Sequence, residues 1–278
     1  MSEHRASRQP ALTNPRSDRV RSVRALSQRS VRARTGLFLA EGPQAVREAV
    51  AHRPDQVRDV YVTAPAAERH TDIVATAVAA RLHVHEASPE VFAAMAGTGT
   101  PQGVLAVCRP AALVLEDALA ALPPDAVVCV LTQVRDPGNA GTVIRAADAA
   151  GADLVVVSDS SVDVYAPKVV RATAGSLFHL PLVVGVPVEQ ILAALGERGI
   201  RRLAADGSGR TLLPDADLRG AHAWVLGNEA WGLPEQTRAG CDDVVRVPIH
   251  GLAESLNLAM AATVCLYASA ETRRRARR

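Results

Sequence analysis

Leu226-Gly227-Asn228-Glu229-Ala230-Trp231-Gly232-Leu233-Pro234 joins a buried-looking apolar run, Trp224-Val225-Leu226, to a short polar loop bracketed by glycines. Parallel α/β sheets bind ligands beyond the carboxyl ends of their strands. A carboxylate in such a loop, Glu229, is therefore a stronger candidate for chemistry than one on a helix face. Taken alone, a helix-entry turn with Glu229 in solvent explains the pattern equally well. Two other stretches repeat the arrangement. Upstream, Asp136-Pro137-Gly138-Asn139-Ala140-Gly141-Thr142-Val143-Ile144-Arg145 follows the apolar run Val127–Leu131 and opens a helix. Gly138 and Gly141 permit tight backbone geometry, Asn139 or Thr142 is suited to cap the helix, and Arg145 falls one turn or more along it. Downstream, Val247-Pro248-Ile249-His250-Gly251-Leu252-Ala253-Glu254-Ser255-Leu256-Asn257-Leu258 combines a strand end, a glycine loop and a helix start. Here Ser255 is the expected cap and Asn257 falls in the first turn.

Around these stretches the pattern is one of strands alternating with helices, which indicates an α/β layer structure. Val127–Leu131, Leu154–Val157, Val183-Val184, Trp224–Leu226 and Val244–Val247 are short continuous apolar runs, as expected of parallel strands covered on both faces. A separate series precedes them. A basic helix is expected over Ser17–Arg34, and strands at 37–40, 57–62, 82–85 and 103–108, with helices between. At 278 residues the chain exceeds one typical domain. The divisions expected are a basic arm at 1–16, a first domain at 17–110, a linker at 111–124 holding a short Ala/Leu helix, a second domain at 125–272 and a basic tail at 273–278.

Composition narrows the classes. With 48% apolar and 22% charged residues the chain can build real cores. The longest membrane candidate, Leu256–Ala270, is shorter than a spanning helix needs and is interrupted by Asn257. The start lacks the apolar core of a secretory signal. Its Arg- and Ser-rich, acid-poor character is shared with organelle transit peptides, a minority reading. Cys108, Cys129, Cys241 and Cys265 are scattered, with no metal or disulfide spacing, and read as reduced cytoplasmic thiols. His83 and His85 share a strand face but lack a third ligand, so surface histidines are expected there rather than a metal pair. The one near match to a dinucleotide fingerprint, Gly97–Gly103, precedes a strand instead of a helix and is rejected. A nicotinamide oxidoreductase is set aside with it. The net charge of +2 hides a split: residues 1–35 carry nine Arg against Glu3 and Asp18, and residues 271–278 carry five Arg against Glu271. Basic blocks at chain ends are either nucleic-acid-binding arms or solvated tails.

The three loop stretches together resemble the SpoU (TrmH-type) branch of the SPOUT RNA methyltransferases. The likeness rests on Asn139 six residues before Arg145, on the Leu226–Leu233 loop, and on the stretch from Val247 through Ser255-Leu256-Asn257 into the last helix, in the family's order. Phe38–Pro43 and Pro101–Val104 resemble the family's L30e-like substrate-binding domain. The match spans about residues 17–270. Ala230 departs from it, since many members carry Gly or a polar residue there.

This resemblance implies an α/β-knot catalytic domain, with a trefoil-knotted parallel sheet, preceded by an L30e-like RNA-binding domain. It implies S-adenosylmethionine as methyl donor, a ribose 2′-hydroxyl of RNA as acceptor, ribosomal RNA as first choice of substrate, and a homodimer in which the Asn139–Arg145 stretch reaches the partner's pocket. Leu226, Gly227, Asn228, Gly232, Ile249, Leu256 and Leu258 are the expected cofactor residues. Arg145, Asn139, Glu229, Ser255 and Asn257 are the expected catalytic set. A guanidinium stays protonated in proteins, so Arg145 is expected to grip a phosphate and the developing alkoxide. Asn139 is expected to hold Arg145 or RNA, and Ser255 and Asn257 to orient Arg145 and the ribose. Alternatives are the same chemistry on tRNA, or a non-catalytic RNA-binding adaptor.

Overall fold

The computed structural model describes residues 11–277. Residues 1–10 of the expected basic arm and Arg278 of the expected tail lie outside the described residues. Contacts divide the chain into two compact units, one made of the residues up to Pro110 with Tyr165–Phe178, the other of Ala111–Val164 and His179 onward.

The first unit runs α1 (Asp18–Ala25), α2 (Arg29–Thr35), β1 (Phe38–Glu41), α3 (Pro43–His52), β2 (Val57–Val62), α4 (Ala64–Arg69), α5 (Thr71–Ala79), β3 (His83–Glu86), α6 (Pro89–Met95) and β4 (Val104–Cys108). Its sheet has the order β1-β4-β2-β3, with β4 antiparallel to both neighbours and β2 parallel to β3. The expected single basic helix is two helices. Val20, Val23 and Leu26 bury the apolar stripe of α1 against Val91, Phe92 and Met95 of α6. Arg32 then folds back, buried, and donates to the carbonyls of Leu26 and Ser27 at 2.8 Å each. It thereby satisfies carbonyls left open where α1 stops.

The second unit runs α7 (Leu115–Ala120), β5 (Val127–Leu131), α8 (Pro137–Ala149), β6 (Leu154–Ser158), β7 (Leu182–Val186), α10 (Val188–Glu197), β8 (Arg201–Ala205), β9 (Thr211–Leu212), β10 (His222–Leu226), α11 (Glu235–Ala239), β11 (Asp243–Arg246) and α12 (Leu258–Ala276). All seven strands are parallel, in the order β7-β6-β5-β10-β8-β11-β9. The remaining helix, α9 (Pro167–Ala172), lies in Tyr165–Phe178 and belongs to the first unit, where Phe38 meets the rings of Tyr165 and Phe178 at 4.8 and 6.2 Å. Residues 125–272 are thus interrupted by a segment of the other unit.

Two other expectations are corrected. The apolar runs omit β8 and β9, yet β8 is a central strand. It opens with Arg201 and Arg202, which satisfy their charge at the sheet's end: Arg202 pairs with Asp242 at 2.7 Å and Arg201 donates to the carbonyl of Arg219 at 3.0 Å. The tail from 273 is no arm within the described residues. It is the last part of α12, and Arg273 holds Asp125 and Asp153 at 3.0 and 2.9 Å, Arg277 holds Asp125, and Arg274 and Arg275 hold Glu271. Hydrogen bonds from Arg273 and Arg277 bring the Asp125 carboxyl down to about 2.

Beneath the sheet, Trp224 is fully buried and its Nε1 donates to Ser269 Oγ at 2.8 Å. His222 Nδ1 faces the Gly220 carbonyl at 2.9 Å and must be its donor, so Nε2 accepts from Ser269 at 2.7 Å. Burial lowers the His222 pKa from its ordinary 6.5 and favours this neutral form.

Candidate active site

The carboxyl ends of β8, β10 and β11 open onto one cleft of about 480 Å³. Its wall on the β10 side is the loop after Leu226. Asn228 and Gly232 exchange two backbone hydrogen bonds, at 2.9 and 3.0 Å, and close the loop into a tight ring. The ring explains Gly227, because a Cβ there would lie 2.5 Å from the Gly232 carbonyl carbon and oxygen. Gly232 adopts φ +68°, and a Cβ on it would press on Asp206 at 2.8 Å. Asn228 is buried. Its Oδ1 accepts from the Ala230 N–H at 2.8 Å and its Nδ2 donates to the Gln133 carbonyl at 2.9 Å. Gln133 itself is held at φ +55°, an uncommon conformation for a side-chain-bearing residue.

Glu229 is exposed but fully engaged. Its carboxylate accepts from the backbone N–H groups of Arg135 and Asp136 at 3.3 and 3.2 Å and from Asn139 Nδ2 at 3.3 Å. Asn139 Oδ1 in turn accepts from Asn257 Nδ2 at 3.0 Å. One relay, Glu229–Asn139–Asn257, thus joins the loop after β10 to the first turn of α8 and the start of α12. Three loops distant in sequence meet here within one protomer.

The caps differ from expectation. Asp136 caps α8, accepting from the Asn139 N–H at 2.7 Å, with Pro137 at the first helical position. Asn139 sits within the first turn, which frees its amide for the relay. Asn257 caps α12, accepting from the Ala259 N–H at 2.9 Å. Ser255 lies two residues before the cap, in the exposed loop lining the cleft.

The cleft gathers Gly227, Asn228, Glu229, Gly232, Ile249, Ser255, Leu256 and Leu258 from the residues expected to serve it. Leu226 stays below as the last residue of β10, paired to Leu131 and Ala205. Asn139 and Asn257 adjoin it through Glu229. Arg145 does not line it. It stands on α8 six residues beyond Asn139, about 9 Å along the axis, exposed and without a side-chain partner among the described residues. Asn139 holds Glu229 and Asn257, rather than Arg145 as expected.

The sequence reading missed Asp206 and Gly207, which line the cleft from the end of β8. Asp206-Gly207-Ser208-Gly209 is another polar glycine loop after a strand, so recognising β8 would have found it. Burial pushes the Asp206 carboxyl up. Hydrogen bonds from Ser208 and the Leu233 N–H, with Arg238 nearby, outweigh it and leave the net shift downward. Asp206, Glu229 and Glu254 place three carboxylates in the lining beside one cation, Arg246, and Ile249, Leu256 and Leu258 give it an apolar face.

Residues 126–267 match the SpoU rRNA Methylase family. The chain belongs to it. Residues 17–106 of this SpoU-family chain match the MRM3-like substrate binding domain. It is 31% identical over 259 residues to the 23S rRNA (guanosine(2553)-2'-O)-methyltransferase RlmP of Bacillus subtilis, covering 92% of this chain and 97% of that one. It is 31% identical to the 23S rRNA (guanosine-2'-O-)-methyltransferase RlmB of Bordetella pertussis, covering 84% and 96%. Among solved structures it resembles the SpoU methyltransferase AviRb of Streptomyces viridochromogenes, with TM-score 0.82, 30% identity and coverage of 94% and 99%. An AdoMet-bound rRNA methyltransferase of Sinorhizobium meliloti gives TM-score 0.82 at 28% identity, covering 95% and 98%. The α/β-knot family expectation thus stands.

Proposed function

We propose that this SpoU-family chain transfers a methyl group from S-adenosylmethionine to a ribose 2′-hydroxyl of large-subunit ribosomal RNA, with guanosine, the nucleoside named for its relatives, as the nucleotide modified. The observation that carries the reading is the backbone-built cleft across β8, β10 and β11, with the Glu229–Asn139–Asn257 relay beside it.

The residues present fit the cofactor. A cleft of about 480 Å³ is within the range of small-molecule sites. Ile249, Leu256 and Leu258 would hold the cofactor's apolar parts, and backbone groups of the Gly227–Gly232 ring would serve its polar ones. When bound, the cofactor supplies a methyl group already activated on a sulfonium. What remains for the protein is to place the ribose and accommodate its proton. Glu229, whose oxygens already take three hydrogen bonds, acts as a positioning residue that fixes the loop after β5. Arg145 grips an RNA phosphate and donates to the oxygen as charge develops on it. Ser255, exposed at the cleft, contacts the ribose. The proton leaves to solvent or a phosphate.

The same reading makes the working form a homodimer, in which Arg145 of one protomer reaches the cleft of its partner. Two features support this. Arg145 has no side-chain partner among the described residues and stands away from its own cleft, and Met260, Val264 and Tyr267 put an exposed apolar stripe along one face of α12. Membership of the SpoU family supports a trefoil-knotted sheet. Among the described residues no helix is long and apolar enough to cross a membrane, and the cytoplasm, where ribosomal RNA is available, is the proposed site of action.

The test is incubation with methyl-labelled S-adenosylmethionine and unmodified 23S rRNA, followed by alkaline hydrolysis. Label in an alkali-resistant dinucleotide containing guanosine is the expected result. Label confined to tRNA would move the substrate. Absence of cofactor binding by calorimetry would leave a non-catalytic adaptor.

A further inference from the structure

The first unit contains a cleft of about 590 Å³ that the catalytic reading leaves unused. Arg19, Arg58, Arg81 and Arg109 line it, with Asp59 and His85. They come from α1, β2, the turn before β3 and the end of β4, so the fold gathers four arginines that the sequence scatters over ninety residues. The strand registers place Arg109 and the start of β2 at one end of the sheet. Glu41 and Gly103, from the stretches that carry the family likeness, lie at the other.

Three observations distinguish this group from ordinary surface charge. First, four guanidinium groups share one cleft with a single carboxylate, so its charge is not neutralised from within. Arg81 and Arg109 are exposed with no side-chain partner among the described residues, and the cleft's one carboxylate, Asp59, is engaged by Arg58 at 3.3 Å and His85 at 2.9 Å. Second, Arg19 is held in place. His85 is buried, not the surface histidine its strand position suggested. Its Nε2 donates to Asp59 at 2.9 Å, and the Arg19 guanidinium lies against the same ring, 3.2 and 3.1 Å from its two nitrogens. Third, Arg81 occupies a position that favours glycine. It ends α5 at φ +58°, with Leu82 N–H bonded to the Ala77 carbonyl at 2.9 Å. The same closure ends α8 at Gly151 and α10 at Gly199, where Ala152 bonds back to Ala147 and Ile200 to Leu195. Ala174 after α9 carries a side chain at a similar φ of +51°, so what sets Arg81 apart is that its side chain lines the cleft.

We infer that this arginine cleft clamps the phosphodiester backbone of the RNA substrate, as a second contact at the end of the sheet away from the Gly42 and Gly103 loops. The inference rests on the RNA-methyltransferase reading. The cleft's apolar lining is only Val57 and Leu82, and its one exposed ring is the His83 imidazole beside four guanidinium groups, so its chemistry addresses phosphate more than base edges. Phosphate contacts of this kind set register and orientation.

The test measures binding of a fluorescein-labelled 30-nucleotide RNA hairpin against potassium chloride concentration, using the full chain. Losing two phosphate contacts lowers the salt slope by about 1.5 and the affinity at 0.15 M salt by about 10–40-fold. Arg81→Ala/Arg109→Ala should show both changes, while Arg198→Ala/Arg219→Ala, with the same loss of charge on the second unit, should show neither. Arg81→Gly separates binding from folding. It should weaken RNA while raising the melting temperature by about 2–4 °C, since the backbone strain is relieved. An unchanged salt slope in the Arg81/Arg109 double variant, with wild-type protein binding RNA normally, would overturn the inference alone. Failure of the wild type to bind RNA, or S-adenosylmethionine by calorimetry, would instead overturn the functional reading beneath it. Saturable binding of pyrophosphate that depends on Arg81 and Arg109 but leaves RNA affinity unchanged would assign the cleft to a free small anion and also overturn it.

Discussion

The two clefts are built from opposite materials. The one across β8, β10 and β11 is shaped by backbone: a ring closed by Asn228 and Gly232, a Gly227 that admits no Cβ, and a relay of three side chains locking the loops together. The arginine cleft of the first unit is shaped by side chains, with Arg19 and Arg58 tied to His85 and Asp59 and Arg81 and Arg109 standing exposed beside them. A backbone-built site holds one ligand in one pose and tolerates little change. A charge-built site tolerates exchange of like charge, because a phosphate backbone asks only for nearby cations.

The sharpest way to break this contrast is to make the same substitution on both sides of it. Arg145→Lys keeps the charge but removes the planar fork, and should cost about 10²–10³-fold in turnover while calorimetric S-adenosylmethionine affinity stays unchanged. Arg109→Lys should leave the RNA salt slope within error of wild type. Near-normal turnover in Arg145→Lys would show that charge alone suffices in the second unit too. Next in size, Gly227→Ala forces the Gly232 backbone to move, and calorimetry should find S-adenosylmethionine binding about 10–100-fold weaker. Asn257→Ala removes both the cap of α12 and the link to Asn139. It should lower stability by about 1 kcal/mol in urea unfolding and reduce turnover more than cofactor affinity. Wild-type turnover there would reduce the relay to a folding device.

The smallest effect concerns the amino end of β10, the end of the strand away from the backbone-built cleft. Burial depresses the folded-state pKa of His222. The unfolded chain therefore binds the extra proton first as pH falls below about 6.5, and stability falls with it until the folded form protonates too. Urea midpoints taken between pH 7.5 and 5 should decline, and His222→Gln should flatten that part of the profile.

The contrast also governs what could be read in advance. A site made of backbone leaves a compact signature, and Gly227-Asn228-Glu229 and Ser255-Leu256-Asn257 are legible because tight turns demand particular residues in sequence. Strands β5, β6 and β10 are legible because both faces are buried. The strand β8 is not, because its first two residues are arginines whose charge is satisfied at the sheet's end by Asp242 and backbone carbonyls. Asp206 was lost with it. The caps were misplaced by two or three residues because Asp136 and Asn139, like Ser255 and Asn257, are all good caps, and only the relay decides which amide is free. Arg19, Arg58, Arg81 and Arg109 carry no signature at all, since what unites them is the sheet of the first unit and not their spacing. The same limit applied to the C-terminal arginines, which read as an arm and are mostly tied to carboxylates.

The position of β10 sets a timetable for synthesis. This strand lies between β5, about 95 residues upstream, and β8. As the chain leaves the ribosome, β5, β6 and β7 can pair early, but the middle of the sheet stays vacant until residues 222–226 emerge. Until then β5 exposes one unpaired edge and β8, whose other neighbour β11 follows later still, exposes both. Long-range parallel pairing of this kind is slow and vulnerable to aggregation. Maturation of this protein should therefore be limited by the arrival and insertion of its central strand, and truncations that end shortly before His222 should be far less soluble than those that end beyond α12.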